Sequence, residues 1–239
     1  MRTLRERIAA ASAITVLTGS GISAESGLPT FRGAGGLWRT HRVETVASLE
    51  GFGHDPRLVW TWYNERRAAH LAAEPSPAHR ALAALEARGG DFTLATQNVD
   101  SLHLRAGSKN VLELHGSLRE VRCTGCSARR VLDGPMPLDE IAHDCGGLWR
   151  PDIVWFGEPL PAEVWQRATA AAERADLLLV VGTSGIVNPA ASLATRFARR
   201  AYTVEINPEE TVLTPAVALS IRARASDVLP GLVADAADE

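Results

Sequence analysis

The glycine-rich stretch at residues 18–33 limits how this chain can fold more than any other stretch. It follows residues 14–17, an apolar and β-branched run that predicts a buried strand. Gly19, Gly21 and Ala24 have the spacing G-x-G-x-x-G/A of a phosphate-binding turn between a strand and a helix. Glycine permits the tight turn and the close approach of a pyrophosphate, and the first amides of the next helix can donate to the anion. The alternative is an ordinary strand-to-helix turn.

The residues after this turn argue against a dehydrogenase. Gly27 and Pro29 end any helix within about two turns, whereas a dinucleotide-binding dehydrogenase continues into a long helix. Three more glycines at residues 33–36 extend a loop. A long glycine-rich segment beside a phosphate site is typical of a lid that closes on a ligand. We expect this lid to carry Phe31 and Arg32.

Composition and charge exclude several classes of protein. The chain has 239 residues, is 46% hydrophobic and carries a formal net charge of −3. It can bury a full core without disulfides, and its charge gives no reason to expect a nucleic-acid partner. No apolar run reaches the ~20 residues of a membrane span, and we see no secretory signal. We expect a cytoplasmic monomer with no membrane partner.

Strands and helices alternate along most of the chain. This order predicts an α/β fold, a doubly wound parallel sheet of Rossmann type. Strands are predicted at residues 14–18, 92–96, 111–114, 177–181, 201–206 and 220–223, and helices at residues 4–11, 59–70, 76–88, 162–174, 190–200 and 227–236. The predicted Rossmann-like domain comprises residues 1–34, 78–115 and 151–239. A smaller inserted domain comprises residues 35–77, which are helical, and residues 116–150, which resemble a zinc ribbon.

The second insertion contains a set of metal-binding residue types. Cys123 and Cys126 form a Cys-x-x-Cys pair, and His143 and Cys145 supply a second pair at a suitable distance along the chain. Three thiolates and one imidazole can hold zinc tetrahedrally, and a site with only protein ligands is structural. The alternative is a loop that folds without metal.

Polar side chains follow two of the predicted strands. Gln97, Asn98 and Asp100 come directly after the strand at residues 92–96, where ligands bind in open α/β sheets. An Asx turn that ends the strand is the alternative. His115 follows the next strand and could act as a base, because histidine titrates near neutral pH. For a lone histidine the alternative is a place in the core. Four other histidines, His41, His54, His70 and His79, are predicted to lie on the surface.

These motifs together resemble the sirtuins, the NAD-dependent protein-lysine deacylases. Residues 19–33 read Gly-Ser-Gly-Ile-Ser-Ala-Glu-Ser-Gly-Leu-Pro-Thr-Phe-Arg-Gly, and the family usually has alanine in place of Ser20. The resemblance continues at residues 96–103, 115–116, 182–184 and 206–207 and at the Cys-x-x-Cys pair, so it spans nearly the whole chain. The family usually has two cysteines where this chain has His143 and Cys145.

The resemblance implies that NAD is consumed as a co-substrate. The acyl oxygen of a modified lysine would attack C1′ of the nicotinamide ribose, and nicotinamide would leave. His115 would then deprotonate a ribose hydroxyl, and water would complete the release of lysine and 2′-O-acyl-ADP-ribose. Asn98 and Asp100 would position the nicotinamide end, and Phe31 would cover the reactive sugar face. Rival interpretations are an NAD hydrolase or ADP-ribosyltransferase, and a silent NAD-binding module.

The resemblance also implies which residues contact the two substrates. The implied NAD-binding residues are Gly19, Ser20, Gly21, Ile22, Ser23, Ala24, Glu25, Phe31, Arg32, Trp38, Gln97, Asn98, Val99, Asp100, Gly182, Thr183, Ser184, Asn207, Pro208, Glu209 and Ala225. The implied acyl-lysine-binding residues are Tyr63, Arg66, Val154, Phe156 and Gly157.

Tyr63 and Arg66 lie three residues apart on a predicted helix, so their side chains share a face. They resemble the Tyr-x-x-Arg motif of class III sirtuins, which prefer succinyl-, malonyl- and glutaryl-lysine. An arginine fork could bind the terminal carboxylate of such an acyl group, and the phenol could add a second donor. The alternative is a solvated Arg66 beside a Tyr63 that packs in the core.

Overall fold

The computed structural model describes residues 2–30, 42–197 and 200–234. The strands are β1 Ala13–Thr18, β2 Asp91–Thr96, β3 Val111–Glu113, β4 Gly116–Cys123, β5 Arg129–Val131, β6 Trp149–Ile153, β7 Leu177–Val181, β8 Tyr202–Ile206 and β9 Leu219–Ile221. The helices are α1 Arg2–Ala10, α2 Ser20–Ala24, α3 Val43–Val46, α4 Leu49–His54, α5 Pro56–Ala72, α6 Pro77–Ala87, α7 Leu102–Arg105, α8 Ala162–Arg174, α9 Ser192–Phe197 and α10 Ala225–Val233. A short 3-10 turn covers Thr214–Ala216.

The central sheet has six strands in the order β3-β2-β1-β7-β8-β9, and every pairing in it is parallel. The chain builds one half outward from β1 to β3 and then returns to place β7 on the other side of β1. Thr18 pairs with Thr96 and with Val181, so the carboxyl ends of these strands are level. The doubly wound fold is confirmed, and its switch point lies between β1 and β7, where such folds bind ligands.

Both faces of this sheet are covered by helices. Val16 belongs to a core cluster with residues of α1, α6 and α10, whereas Leu17 belongs to a second cluster with residues of α8 and α9. Neighbouring residues of a strand point to opposite faces. Burial on both faces therefore explains why the central strands are continuous apolar runs rather than alternating ones.

A second sheet of three antiparallel strands, in the order β5-β4-β6, packs against α3, α4 and α5. Trp60 on α5 is fully buried, and its Nε1 donates to the Trp149 carbonyl at 2.8 Å. Asn64 pairs with the backbone of Met136 through two hydrogen bonds of 2.8 Å. The two insertions predicted from the sequence therefore contact each other directly. The domain boundaries stay a prediction.

Several predicted elements differ from the structure in detail. The last strand begins one residue earlier than predicted, and α10 begins at Ala225 rather than at residue 227. The three strands of the second sheet were not predicted, because β5 is exposed along its length and β4 contains an irregularity that breaks the alternating pattern.

The prediction that His79 lies on the surface is wrong. Its side chain is fully buried, because it caps the start of α6. Nδ1 of His79 accepts from the Ser76 amide at 3.2 Å, and the Ser76 hydroxyl accepts from the His79 amide at 3.4 Å. Within the part of the chain that the structure describes, no helix combines the length and the apolar composition needed to cross a membrane.

We expect Leu82→Ala to lower the free energy of unfolding by about 2–5 kcal/mol, because it empties a fully buried position where α6 packs against α10. The matched control is Leu104→Ala, at a position that is 43% exposed, which should change it by no more than ~0.5 kcal/mol. Chemical denaturation followed by circular dichroism measures both. Equal losses in the two variants would contradict this placement of the core.

Candidate active site

The glycine turn after β1 packs directly against the turn after β7. The Gly21 amide donates to the Gly182 carbonyl at 2.8 Å. A Cβ at Gly19 would lie 2.7 Å from the Thr183 Cβ, and one at Gly21 would lie 2.8 Å from the Gly182 Cα. Contacts this short do not occur, so the turns can approach each other only without these side chains. Glycine here is required by the fold as well as by any pyrophosphate.

Three of the predicted site residues form one buried hydrogen-bonded cluster. The Ser23 hydroxyl donates to Asp100 Oδ2 at 2.7 Å, and Asn98 Nδ2 donates to Ser23 Oγ at 2.9 Å and to the Gly19 carbonyl at 3.0 Å. Burial raises the pKa of Asp100 above its ordinary value, although bonds from the Leu102 amide and from Ser23 oppose this rise. The cluster joins the carboxyl ends of β1 and β2.

A second set of bonds connects β2 with β7 and β8. Gln97 Nε2 donates to Thr183 Oγ1 at 2.9 Å, and Asn207 Nδ2 donates to the Thr183 carbonyl at 3.1 Å. Asn207 Oδ1 accepts from the Glu209 amide at 3.1 Å. Polar groups from four neighbouring strands therefore line one crevice at the switch point of the sheet. Ser184 is half-buried in this crevice region, and Pro208 is exposed.

His115 follows β3 and is oriented by the backbone. Its Nδ1 lies 3.0 Å from the Gln97 carbonyl oxygen. The carbonyl can only accept, so Nδ1 carries the proton and Nε2 keeps its lone pair. Burial lowers the pKa of His115, and the bond to Gln97 only partly offsets this. The imidazole is therefore neutral at pH 7 and can accept a proton.

The predicted acyl-lysine segment lies beside His115. The Val154 amide donates to the His115 carbonyl at 2.9 Å, and the Phe156 amide donates to the Ala47 carbonyl at 3.1 Å. Phe156 and Gly157 are both exposed, and Gly157 has a φ of +88°. This segment, hydrogen-bonded to His115 and to Ala47, leaves exposed groups next to the candidate base.

A buried ion pair that the sequence did not reveal holds this segment. Arg150 donates to both oxygens of Glu158, at 2.7 and 2.8 Å, and its guanidinium lies 3.5 Å from the Trp155 ring centroid. Glu158 also accepts from the Trp155 amide at 2.8 Å. Burial raises the pKa of Glu158, but these bonds outweigh it and the net shift is downward. The only signal in the sequence is a charged residue on each side of the apolar run at residues 153–156.

Tyr63 and Arg66 are both buried, at 3% and 8% exposure, so the alternative of a solvated Arg66 is wrong. Trp155 Nε1 donates to the Tyr63 hydroxyl at 2.8 Å. The Arg66 guanidinium lies 4.5 Å from the Trp62 ring centroid. Burial raises the pKa of Tyr63 to about 12 and lowers that of Arg66 to about 10. At neutral pH the phenol keeps its proton and the guanidinium keeps its charge.

Most of the remaining predicted NAD contacts lie on or next to α2 and at the start of α10. Glu25 accepts from the Ser226 amide at 3.2 Å, and Ala225 beside it is buried. Ile22 and Val99 are buried as well, whereas Ala24 is exposed and Ser20 is half-buried. Phe31, Arg32 and Trp38 lie outside the described residues. The contacts of all these residues with NAD stay predictions.

The four predicted metal ligands come together at the end of the antiparallel sheet. Sγ of Cys123, Cys126 and Cys145 and a nitrogen of His143 all lie within 4.8 Å of one another. Cys123 Sγ lies 3.4 Å from Cys145 Sγ, and His143 Nδ1 lies 3.1 Å from Cys145 Sγ and 3.8 Å from Cys126 Sγ.

These distances are close to those between the ligand atoms of a tetrahedral zinc ion. Zinc bonds of about 2.3 Å to sulfur and about 2.0 Å to nitrogen place the ligand atoms roughly 3.5–3.8 Å apart. The Gly125 amide also donates to Cys123 Sγ at 3.3 Å, as is usual for a thiolate ligand. All four ligands come from the chain, so the site is structural and supplies folding energy.

The fold and the two sites define a class of protein. A parallel sheet with a glycine turn and converging polar groups at its switch point is a nucleotide-binding α/β protein, and here it is joined to a zinc-ligating antiparallel sheet. The family model described as the Sir2 family matches residues 19–189. This match covers well over half of the chain, which therefore belongs to the Sir2 family.

Individual relatives agree with this assignment. The NAD-dependent protein deacylase 2 of Pyrobaculum aerophilum is 52% identical over 221 residues, which cover 91% of this chain and 88% of the relative. A Sir2 homologue solved as an NAD complex has a TM-score of 0.92 at 47% identity, covering 98% of this chain and 92% of that one. A Sir2 complex with a deacetylated p53 peptide and 3′-O-acetyl ADP-ribose has a TM-score of 0.87 at 32% identity. The match covers 96% of this chain and 95% of that one. The family predicted from the motifs is confirmed.

We expect the purified protein to carry about one zinc per chain, measured by elemental analysis. Cys123→Ala should lose the metal and lower the melting temperature, because zinc binding contributes to folding of the antiparallel sheet. His143→Ala should weaken zinc retention under a chelator. The control is His54→Ala, at an exposed histidine on α4, which should keep both zinc and stability. A metal-free wild type of full stability would contradict the site, and normal retention by His143→Ala would assign the fourth ligand elsewhere.

Proposed function

We propose that this member of the Sir2 family is an NAD-dependent protein-lysine deacylase whose preferred acyl groups are succinyl and malonyl, with glutaryl and acetyl as further substrates. Acyl-lysine, NAD and water would give lysine, nicotinamide and 2′-O-acyl-ADP-ribose. The observation that carries the proposal is the buried pair Tyr63 and Arg66. Tyr63 accepts a hydrogen bond from Trp155, which belongs to the segment beside His115.

The crevice at the switch point supports an NAD site. Its glycine turn lets a pyrophosphate approach the backbone, and Gln97, Asn207 and Thr183 offer polar groups for the adenosine half. Asn98, Asp100 and Ser23 offer donors and acceptors for the nicotinamide half. In this proposal the predicted large domain holds NAD, and the predicted small domain contributes Tyr63, Arg66 and the zinc site.

His115 has the geometry of a general base. Nε2 would take the proton of a ribose hydroxyl, so that the hydroxyl oxygen can attack the acyl carbon. The Gln97 carbonyl, 3.0 Å from Nδ1, would stabilise the imidazolium that forms. The acyl-lysine would lie along the segment that contains Val154, Phe156 and Gly157, because that segment is hydrogen-bonded to His115 and exposed on its other side.

The charge of Arg66 supports the proposed preference for acidic acyl groups. Arg66 is a buried cation at neutral pH, and Tyr63 beside it keeps a phenol proton that can be donated. A carboxylate that enters this pocket gains a charge-assisted bond of about 1.5–3 kcal/mol, which corresponds to roughly 10- to 150-fold in affinity. Acetyl-lysine has no terminal carboxylate, so it cannot form this bond with the buried Arg66 guanidinium.

We expect wild type to have a higher kcat/KM for succinyl-lysine peptides than for acetyl-lysine peptides. Arg66→Met should lower kcat/KM for succinyl-lysine by roughly 10- to 150-fold and spare or improve that for acetyl-lysine, because only the acidic group loses its partner. The control is Arg57→Met, which removes an exposed arginine from the same helix. Mass spectrometry of the products also separates this activity from NAD hydrolysis and ADP-ribosyl transfer, since only a deacylase yields acyl-ADP-ribose.

Two outcomes would contradict the acyl preference. Wild type could prefer acetyl-lysine, or Arg66→Met could lower both activities equally. Either result would make Arg66 a structural residue and leave the deacylase assignment intact. Failure to form acyl-ADP-ribose from any acyl-lysine would instead contradict the deacylase activity itself.

We expect the acidic limb of the pH profile for deacylation to lie below pH 6.5. The lowered pKa of His115 keeps its imidazole neutral, and therefore basic, until the pH falls below the ordinary histidine value. His115→Ala should lower turnover by at least ~100-fold while NAD still binds, because the proton transfer follows NAD binding. Near-normal turnover by folded His115→Ala would exclude this base.

A further inference from the structure

A cavity of about 320 Å³ lies between α5, β4 and the start of α7. The described residues that line it include Asp100 but not His115, Asn98 or the glycine turn. The described part of its lining therefore meets the candidate active site only at Asp100. Its volume is that of roughly ten waters at about 30 Å³ each, which is enough for a small oxyanion with its solvation.

The most unusual group on this cavity is Arg67. It is 2% exposed, and Nε, Nη1 and Nη2 all lack a hydrogen-bond partner among the described residues. Burial lowers the pKa of Arg67 to about 10, so the group is still a cation at neutral pH. A buried charge without a partner is strongly unfavourable, and native structures rarely contain one.

Arg150 shows how the same fold treats another buried arginine. Its side chain is 3% exposed, and it donates to both oxygens of Glu158. Arg66, the neighbour of Arg67, faces Trp62 and feels the charge of Asp100. Adjacent residues of a helix point about 100° apart, so Arg67 faces a different space from Arg66. Arg67 therefore differs from Arg150 in that its buried guanidinium has no hydrogen-bond partner among the described residues.

Further groups on the cavity make it more positive. Arg105 and Arg119 line it, and Arg105 is held in place by the Ala73 carbonyl at 2.6 Å and by Glu74 at 3.0 Å. His70 Nδ1 is buried and has no hydrogen-bond partner among the described residues. Burial and the nearby arginines lower the pKa of His70 to about 3, so the ring is neutral.

The carboxylates on the cavity do not neutralise Arg67. Both oxygens of Asp100 already accept hydrogen bonds, from Ser23 and from the Leu102 amide. The side chain of Asp133 is 94% exposed and lies 4.0 Å from Arg119. No ion pair joins Arg67 to a carboxylate anywhere in the described ranges.

We propose that this cavity binds a small oxyanion, a carboxylate or a phosphate group, with Arg67 as its central ligand. The planar guanidinium would bind two oxygens of the anion side by side. Arg119 at the exposed end would attract the anion, and His70 Nδ1 would bond to a hydroxyl of a protonated phosphate or to a water. The proposal does not rest on the deacylase assignment, because it concerns binding in the absence of NAD and acyl-lysine.

Isothermal titration calorimetry with inorganic phosphate and with succinate tests the proposal, in chloride buffer of constant ionic strength. We expect about one phosphate per wild-type chain, and Arg67→Met should weaken phosphate binding by roughly 10- to 150-fold. The phosphate and succinate arms show which oxyanion class the cavity prefers. Arg57→Met is the control and should bind phosphate as wild type does, since its side chain is not among the described residues that line the cavity.

Thermal unfolding supplies a second readout. In chloride alone Arg67→Met should melt at or above the wild-type temperature, because it removes a buried charge that has no partner. Phosphate should raise the melting temperature of wild type but not that of Arg67→Met. If Arg67→Met does not fold, Arg67→Lys tests the proposal instead. Lysine keeps the positive charge but cannot bind two oxygens side by side, so Arg67→Lys should bind phosphate more weakly than wild type.

Three results would overturn the proposal. The first is that neither anion binds to wild type, and the second is that phosphate binds to Arg67→Met and Arg67→Lys as tightly as to wild type. Succinate binding that is lost in Arg66→Met and kept in Arg67→Met would belong to the acyl pocket and not to this cavity.

Discussion

The close contact between the turn after β1 and the turn after β7 is the constraint on which the site depends. Gly19 and Gly21 lie against Gly182 and Thr183 with no room for a Cβ on either glycine. This contact lies at the switch point of the sheet, where the carboxyl ends of β1, β2 and β7 are in register. The polar side chains after β2, β7 and β8 can bond across one crevice only because these two turns touch. A larger residue at Gly21 would separate the turns and disrupt the crevice before it affected any ligand.

The proposed acyl-lysine side of the site depends on a different interaction. Arg150 on β6 pairs with Glu158 and so holds the segment after β6 in place. The same segment bonds to His115 and contacts Tyr63 through Trp155. The zinc ligands lie at the far end of the strands that carry this segment. Zinc can therefore influence the site without contacting it, since loss of the metal would loosen β4 and β6 together.

Burial sets the charge of each functional group by its surroundings. It keeps His115 neutral and Tyr63 protonated, whereas Arg66 and Arg67 stay charged because the guanidinium pKa of about 10 remains above neutral pH. The neutral imidazole can act as a base, the phenol can act as a donor, and the two cations can attract anions. Neighbouring arginines on one helix thereby face two separate spaces, one of which is the proposed acyl pocket.

Sequence patterns were enough to predict the parallel sheet, the glycine turn, the polar residues after β2 and the zinc ligands, because each is recognised from residue types and their spacing along the chain. Asn98 and Asp100 needed only their position after a strand, and Cys123 and Cys126 only their spacing. Other features depend on partners far along the chain. Packing in three dimensions decided the burial of His79, the pairing of Arg150 with Glu158 and the absence of a hydrogen-bond partner for Arg67 among the described residues. The sequence alone does not show whether an arginine will face a carboxylate or a cavity.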